Sequence, residues 1–259
     1  VLNNGTAPSD DTAVSADGSG NVLIQALGAD TDITANADIV SGSGNVSVLA
    51  ARSIVFTGTA DIRTSSTAGT SGSIDVLAGT GSITQSATSV FLSTGATATA
   101  RLLAATSVTV GDIELTLGTV SITATAGSIS DADAVTTTND ALQDITASAL
   151  RLSAGTSIGE SVDHLETTVL TLSARAGNGS IYVLEANDLI VGDVGLSVNR
   201  VAADGSTATT GTAVSQEDLA SGADLVLVTL NGGITTTLGT GEITAAQDVL
   251  LSTGETAEG

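Results

Sequence analysis

Cysteine, lysine, methionine and tryptophan are all absent from this chain of 259 residues, and proline occurs once, as Pro8. The aromatic rings number three: Phe56, Phe91 and Tyr182. The lack of cysteine excludes disulfides and thiolate chemistry. So few large rings make a thick globular core hard to fill, whereas a thin core of aliphatic side chains repeated along an axis needs none. No apolar run approaches the roughly 18 residues of a membrane-spanning helix. Position 1 is Val, with no basic stretch and apolar run behind it of the kind that directs export. The expectation is a soluble segment of a longer exported protein, its export signals lying elsewhere, that does not itself insert into a membrane.

Positive charge is nearly absent too. Against 28 acids stand six bases, all arginine (Arg52, Arg63, Arg101, Arg151, Arg175 and Arg200), for a net charge of −22. Such a surface repels phosphate backbones and anionic lipid, which excludes nucleic acid and membrane as natural partners. High net charge can also signal disorder, but a mean hydropathy of +0.38 with only 13% charged residues argues for a folded chain.

What remains is Ala, Val, Ile and Leu accompanied by Thr, Ser and 30 glycines. Branched aliphatics with Thr suit a pleated, half-buried surface, and Gly and Ser suit turns. Gly18-Ser19-Gly20-Asn21-Val22 recurs as Gly42-Ser43-Gly44-Asn45-Val46, 24 residues on, and Ser71-Gly72-Ser73-Ile74 follows after 28 more. Behind these turns apolar residues alternate: Val22/Ile24/Ala26, Val46/Val48/Ala50 and Ile74/Val76/Ala78, then Leu150/Leu152/Ala154 and Leu170/Leu172/Ala174. Alternation of this kind marks short strands with one buried face. Further short strands lie between them, around Ile54/Phe56, Ile83, Val90/Leu92, Val108/Val110 and Leu189/Val191.

Two or three strands per unit of roughly 18 to 28 residues is the rung size of a β-solenoid. The expected fold is all-β, a right-handed parallel β-helix of about eleven rungs running through residues 1–259 as one segment of a longer tandem array. Val22, Val46 and Ile74 should lie close together on successive rungs. Residues 1–17 and 200–218, where the strand pattern lapses, read as loops or insertions. The alternative is a β-sandwich, which would use antiparallel hairpins with turns such as Asp17-Gly18, Asn178-Gly179 and Asp204-Gly205.

A longer period overlies the short one. Gly79-Thr80-Gly81-Ser82-Ile83-Thr84 matches Gly239-Thr240-Gly241-Glu242-Ile243-Thr244, and Thr12-Ala13-Val14-Ser15 matches Thr212-Ala213-Val214-Ser215. These matches predict a super-repeat boundary near residue 212, with neighbouring copies of the repeat continuing end to end.

The stretch from Thr156-Ser157-Ile158-Gly159 through Leu170-Thr171-Leu172-Ser173-Ala174 and Gly179-Ser180-Ile181-Tyr182-Val183 to Gly192-Asp193-Val194 resembles repeats of filamentous-haemagglutinin-like exoproteins. These are long bacterial surface adhesins. The resemblance is specific over residues 150–195 and diffuse elsewhere. It implies a right-handed parallel β-helix, placement outside the cell or at the surface of a Gram-negative bacterium, and an adhesive or stalk role towards an unidentified surface ligand. It brings no catalytic residues.

β-Helices also carry polysaccharide-processing enzymes, whose clefts use positioned carboxylates and aromatic stacking platforms. Asp30/Asp32 and Asp131/Asp133 form Asp-x-Asp pairs, read first as solvated turn residues. Three aromatics leave little for a sugar cleft, so the chain is expected to be non-catalytic and to need no cofactor. Asp131, Asp133, Asp140 and Asp144 form the densest acidic cluster and are the best calcium candidates, although no glycine-rich nonapeptide or EF-hand loop is present. His164, the only histidine, sits in Asp163-His164-Leu165-Glu166 and reads as an exposed turn residue. Threonine pairs such as Thr57/Thr59 and Thr123/Thr125 are too irregularly spaced for an ice-binding face. Arg52, Arg101, Arg151 and Arg200, spaced 49 or 50 residues apart, each read as flanking a strand.

Overall fold

The computed structural model describes residues 1–4, 11–64, 72–133, 143–209 and 213–254. Every helical or extended element among them is a β-strand, so no helix is long and apolar enough to cross a membrane. The strands stack in three parallel ladders. The first joins Val22–Ala26, Val46–Ala50, Ser73–Ala78 and Thr99–Ala104, then the second halves of Asp112–Ala124, Ile145–Ala154 and Leu165–Ala176. The second begins at Thr12–Ala16, Asp38–Ser41, Ile62–Thr64 and Val90–Ser93 and takes the first halves of the same three long strands. It then continues into Ile181–Glu185, Leu225–Thr229 and Val249–Thr253. The third runs Ile33–Ala35, Ile54–Phe56, Ile83–Gln85, Val108–Val110 and Ile129–Asp131, extended by single bridges through Ile158 to Ile181.

The register explains the sequence pattern. Val22, Val46, Ile74, Ala100, Val120, Leu150 and Leu172 stack one above another, and all are buried. The last inward position of each first-ladder strand is alanine throughout: Ala26, Ala50, Ala78, Ala104, Ala124, Ala154 and Ala176. The third ladder offers Ile33, Ile54, Ile83, Val108 and Ile129 to the same core. Full burial of one such aliphatic side chain stabilises by about 1.5–3 kcal/mol, so a thin core repeated rung by rung is held by many equal contributions.

The repeated Gly-Ser-Gly-Asn has a steric cause. Gly44 stacks on Gly20 and Gly72 on Gly44, and a Cβ on Gly44 would stand 2.1 Å from the Gly20 carbonyl oxygen. Beside them, Asn21 Oδ1 accepts the Asn45 backbone N–H at 2.9 Å, and Asn45 Oδ1 accepts that of Ser73 at 2.9 Å. Gly44→Ala should therefore force two rungs apart and cost at least about 2 kcal/mol. Gly18→Ala meets open space and only a positive φ of 58°, and should cost about 1 kcal/mol. Equilibrium denaturation of the two variants checks the order; equal costs would contradict the stacked corner.

One segment leaves the stack. Gly192 N–H still bonds Leu172 O, and Asp218 O accepts the Ala174 N–H, so residues 193–217 are inserted opposite the single residue Ser173. The insertion is an antiparallel arm, pairing Val194–Leu196 with Ala213–Gln216 and Asn199–Val201 with Thr207–Thr209. It folds back over the outer side of the first ladder. Gln216 Nε2 reaches Leu152 O at 2.8 Å, Asn199 N–H reaches Ser73 Oγ at 3.1 Å and Val201 N–H reaches Ser47 Oγ at 2.9 Å. At its tip Gly205 O accepts Asn21 Nδ2 at 3.2 Å, so the arm spans six rung steps, on the order of 30 Å. Val194, Leu196, Val198 and Val201 are buried beneath it.

Several expectations are corrected. Within 1–17, Thr12–Ala16 is a strand of the second ladder rather than loop. By contrast, over 200–218 the described strands are those of the inserted antiparallel arm, Asn199–Val201 with Thr207–Thr209 and Ala213–Gln216 with Val194–Leu196, and Asp218 is back in the stack. The expected super-repeat boundary near 212 lies outside the described residues; of the matched pieces, Ile83 lies in the third ladder and Ile243 joins the first through Leu219, which pairs with Ala174, while Thr12–Ser15 is ladder and 213–215 is arm. Gly-Thr-Gly-x-Ile-Thr is corner-then-strand chemistry that any face can use. Arg101 from the stack and Arg200 from the arm do meet on Asp75, and Arg151 bonds Val214 O of the arm, but Arg52 pairs with Asp32 in a turn instead.

Candidate functional site

The second ladder carries an acid at the entrance of most of its strands. By register Asp38, Asp61, Val90, Asp112, Asp144 and Glu166 succeed one another, each just before an inward residue. The carboxylates act first as backbone acceptors. Asp38 Oδ1 takes the Asp61 N–H at 3.0 Å, Asp61 Oδ1 that of Val90 at 2.7 Å, and Asp144 Oδ2 that of Glu166 at 2.8 Å. The signal in the sequence is the dipeptide Asp-Ile, at Asp38-Ile39, Asp61-Ile62, Asp112-Ile113 and Asp144-Ile145.

The two halves of this column differ in charge. In the first, Arg63 bonds Asp61 and lies 3.8 Å from Asp38. In the second, Asp112, Glu114, Asp131, Asp133 and Asp144, with Gln143 and Thr146, line a cavity of about 320 Å³. The oxygens of Asp131, Asp144 and Glu166 come within 4.8 Å of one another, and those of Asp131, Asp133 and Asp163 do likewise. The other arginines are engaged elsewhere: Arg52 on Asp32, Arg101 and Arg200 on Asp75, Arg175 near Asp218, and Arg151 on the arm.

Of the sequence candidates, Asp131, Asp133 and Asp144 are thus brought together, and Asp140 lies outside the described residues. Asp112, Glu114, Asp163 and Glu166 join them although the sequence did not mark them as candidate ligands. Oxygen donors alone, crowded and negatively charged, are what a hard divalent cation such as calcium takes. Asp30 and Asp32, the other Asp-x-Asp pair, remain in a turn, where Arg52 holds the Asp32 carboxyl down at about 2.

Crowding and burial hold protons on the cleft. Asp144 is pushed up to about 11 by burial and by the hydrogen bond and charge of Asp131 beside it. Asp112 is raised to about 7 by burial and then by Glu114. Away from the cleft, burial raises Glu185 to about 7 against the opposing hydrogen bonds from Thr167 Oγ1 and the Asn187 and Val169 N–H groups. A carboxyl titrates near ~4 in the unfolded chain, so the folded chain binds more protons above that pH. Stability should therefore be greatest near pH ~4–5 and fall as pH rises through ~7, the melting temperature dropping by roughly 5 °C or more. Asp112→Asn should flatten part of this fall. A melting temperature that climbs steadily from pH ~4 to ~8 would contradict these protonation states.

His164 lies on the next rung and is not on an exposed turn. It is 8% exposed and stacks on Tyr182 with ring centroids 5.7 Å apart. Burial lowers its pKa, so the ring is a neutral packing element here. No protein-family model, curated protein or solved structure matches the chain.

Proposed function

We propose that the chain is a non-catalytic structural or adhesive rod, a right-handed parallel β-helix of about eleven rungs within a fibre displayed on or secreted from a Gram-negative bacterium. The observation that carries this reading is the second ladder, in which ten strands from Thr12–Ala16 to Val249–Thr253 pair in parallel without a break. Most of the buried apolar side chains serve that stack, and among the described residues the inserted arm is laid back along the rod. The resemblance of residues 150–195 to filamentous-haemagglutinin-like repeats supports the surface assignment. The −22 charge supports the absence of nucleic-acid partners and of membrane insertion by this segment. Solution scattering from dilute protein should give a rod on the order of 50 Å long, and antibody to the chain should label intact cells. A compact profile, or labelling only after permeabilisation, would overturn it.

In this reading the acidic cleft is a calcium seat that stabilises the rod and does no chemistry. Calcium should raise the melting temperature modestly, and more at pH ~8 than at pH ~5, because it competes with protons for the same carboxylates. Unfolding by a chelator alone would make the ion obligatory rather than optional.

A second reading has one observation in its favour. Asp131 and Asp144 oxygens lie within 4.8 Å, and Asp144 keeps its proton at neutral pH, as the acid of a glycoside-cleaving pair would. Against it, Phe56 and Phe91 are core residues and Tyr182 stacks on His164, so no ring lines the cleft. Turnover of an acidic polysaccharide that is lost in Asp144→Asn would decide for the enzyme.

A further inference from the structure

A slot opens in the side of the stack where the third ladder thins to single bridges. The outward column of that ladder runs Thr84, Thr109 and Ser130 on successive rungs. Beyond Ile129 only Ile158 and Ile181 bridge onward, so the next outward positions fall to Gly159 and Tyr182. Gly159 takes a φ of +64°, and a Cβ there would stand 2.2 Å from the Tyr182 carbonyl oxygen. The chain then turns away through the Glu160–Asp163 bridge. Ser130 and Tyr182 are thus two strand spacings apart, ~9.6 Å, and the position between them carries no side chain. The result is a cavity of about 390 Å³, a volume suited to a small ligand.

Its lining is equipped for hydrogen bonding. Ser128, Ser130 and Thr156 bring hydroxyls, Glu160 a carboxylate and Tyr182 a phenol. None of these five side chains makes a hydrogen bond among the described residues. Elsewhere on the stack such hydroxyls are used up on backbone carbonyls, as those of Ser41, Ser86 and Ser89 are. The backbone of the slot, by contrast, is already paired: Gly159 N–H bonds Ile129 O, and Tyr182 N–H bonds Ile158 O. A peptide strand would find no edge to join there. The Tyr182 ring is held against His164, with centroids 5.7 Å apart, so it is placed before any ligand arrives. A fixed tyrosine among adaptable hydroxyls recognises polar ligands at low cost in conformational entropy.

We propose that this slot binds one neutral hexopyranose residue, the end unit of a glycan, through hydrogen bonds to Ser128, Ser130, Thr156 and Glu160 and contact with the Tyr182 ring. The proposal deepens the adhesive side of the rod reading and rests on it. Glu160 and the −22 net charge turn acidic sugars away. One carboxylate is too few for the acid and the base or nucleophile of glycoside cleavage, so the sugar is held and not cut.

Tyr182 is the only tyrosine and the chain has no tryptophan, so a selectively excited tyrosine signal reports this slot alone. The experiment titrates the full chain with the methyl glycosides of glucose, galactose, mannose and N-acetylglucosamine, following Tyr182 emission and saturation transfer to the sugar. At least one should bind saturably with a Kd on the order of 1 mM. Methyl glucuronide should bind at least about tenfold more weakly. Ser130→Leu, which fills the slot, should weaken binding at least about tenfold, and Glu160→Gln at least about threefold. Thr84→Leu, two rungs back on the same column, should leave it unchanged. Glu160 lies on an exposed turn, so its variant tests the slot even where Ser130→Leu is unstable. Binding of none of the four, binding that both slot variants leave unchanged, or glucuronide bound as well as the neutral sugars overturns the proposal. A rod by scattering that binds no sugar fails this proposal alone, whereas a compact profile fails the rod.

Discussion

Asp75→Ala is expected to be among the most damaging single substitutions, costing roughly 3–5 kcal/mol and lowering the melting temperature on the order of 10 °C. Asp75 is fully buried between the first ladder and the arm. One of its oxygens accepts Arg101 Nε at 2.9 Å and the neighbouring guanidinium nitrogen at 2.7 Å, and the other accepts Arg200 Nε at 2.6 Å. Removing the carboxylate leaves the Arg101 side chain, 9% exposed, as an unpaired buried charge. It also removes the arm's only ion pair with the stack among the described residues. An arginine-specific protease should then cut after Arg200 before the rod itself unfolds. Arg200→Ala should cost less, because Asp75 keeps Arg101. Equal stability of Asp75→Ala and wild type, with Arg200 still protected, would mean that the arm is held by its apolar residues alone.

Phe91→Ala should cost a comparable amount, roughly 3–5 kcal/mol. Phe56 and Phe91 are the largest fully buried side chains, meeting edge to face with centroids 4.8 Å apart. Around them the core is aliphatic and its strands are hydrogen-bonded rung to rung, so the ladder resists collapsing into the space a ring vacates. Phe91→Leu, which keeps most of the volume, should cost no more than about 1.5 kcal/mol. Denaturant midpoints separate the two. A loss under about 1 kcal/mol for Phe91→Ala would show a core far more plastic than a hydrogen-bonded stack permits.

The strands were legible because each needs alternating apolar residues behind a corner, and both features are local. Val22, Val46 and Ile74 advertise their stacking in sequence because Gly20, Gly44 and Gly72 fix the same corner before each. The arm was legible only as a lapse in pattern, although Asp204-Gly205 at its tip is a turn pair that favours antiparallel hairpins. Its destination was not legible. Ser47, Ser73 and Asp75 look like ordinary outward residues until a strand far along the chain covers them. The acidic cleft was half legible for the same reason. Asp131, Asp133 and Asp144 are near in sequence, but Asp112 and Glu166 join them through a register set by rungs of unequal length. His164 was misread because polar neighbours in sequence say nothing of Tyr182, which stacks on it from the following rung.

The central claim is that this chain is an in-register parallel stack, and its lack of cysteine permits a direct test. Thr84 and Thr109 are register partners on adjacent rungs of the third ladder, and Thr109 is in turn the partner of Ser130. Adjacent parallel strands lie ~4.8 Å apart, within reach of a disulfide, whereas two rungs are ~9.6 Å apart and are not. The measurement is disulfide formation under mild oxidation in the double variants Thr84→Cys/Thr109→Cys and Thr84→Cys/Ser130→Cys. The account predicts near-complete intramolecular cross-linking in the first and essentially none in the second. Cross-linking of the 84/130 pair with an unreactive 84/109 pair would contradict it.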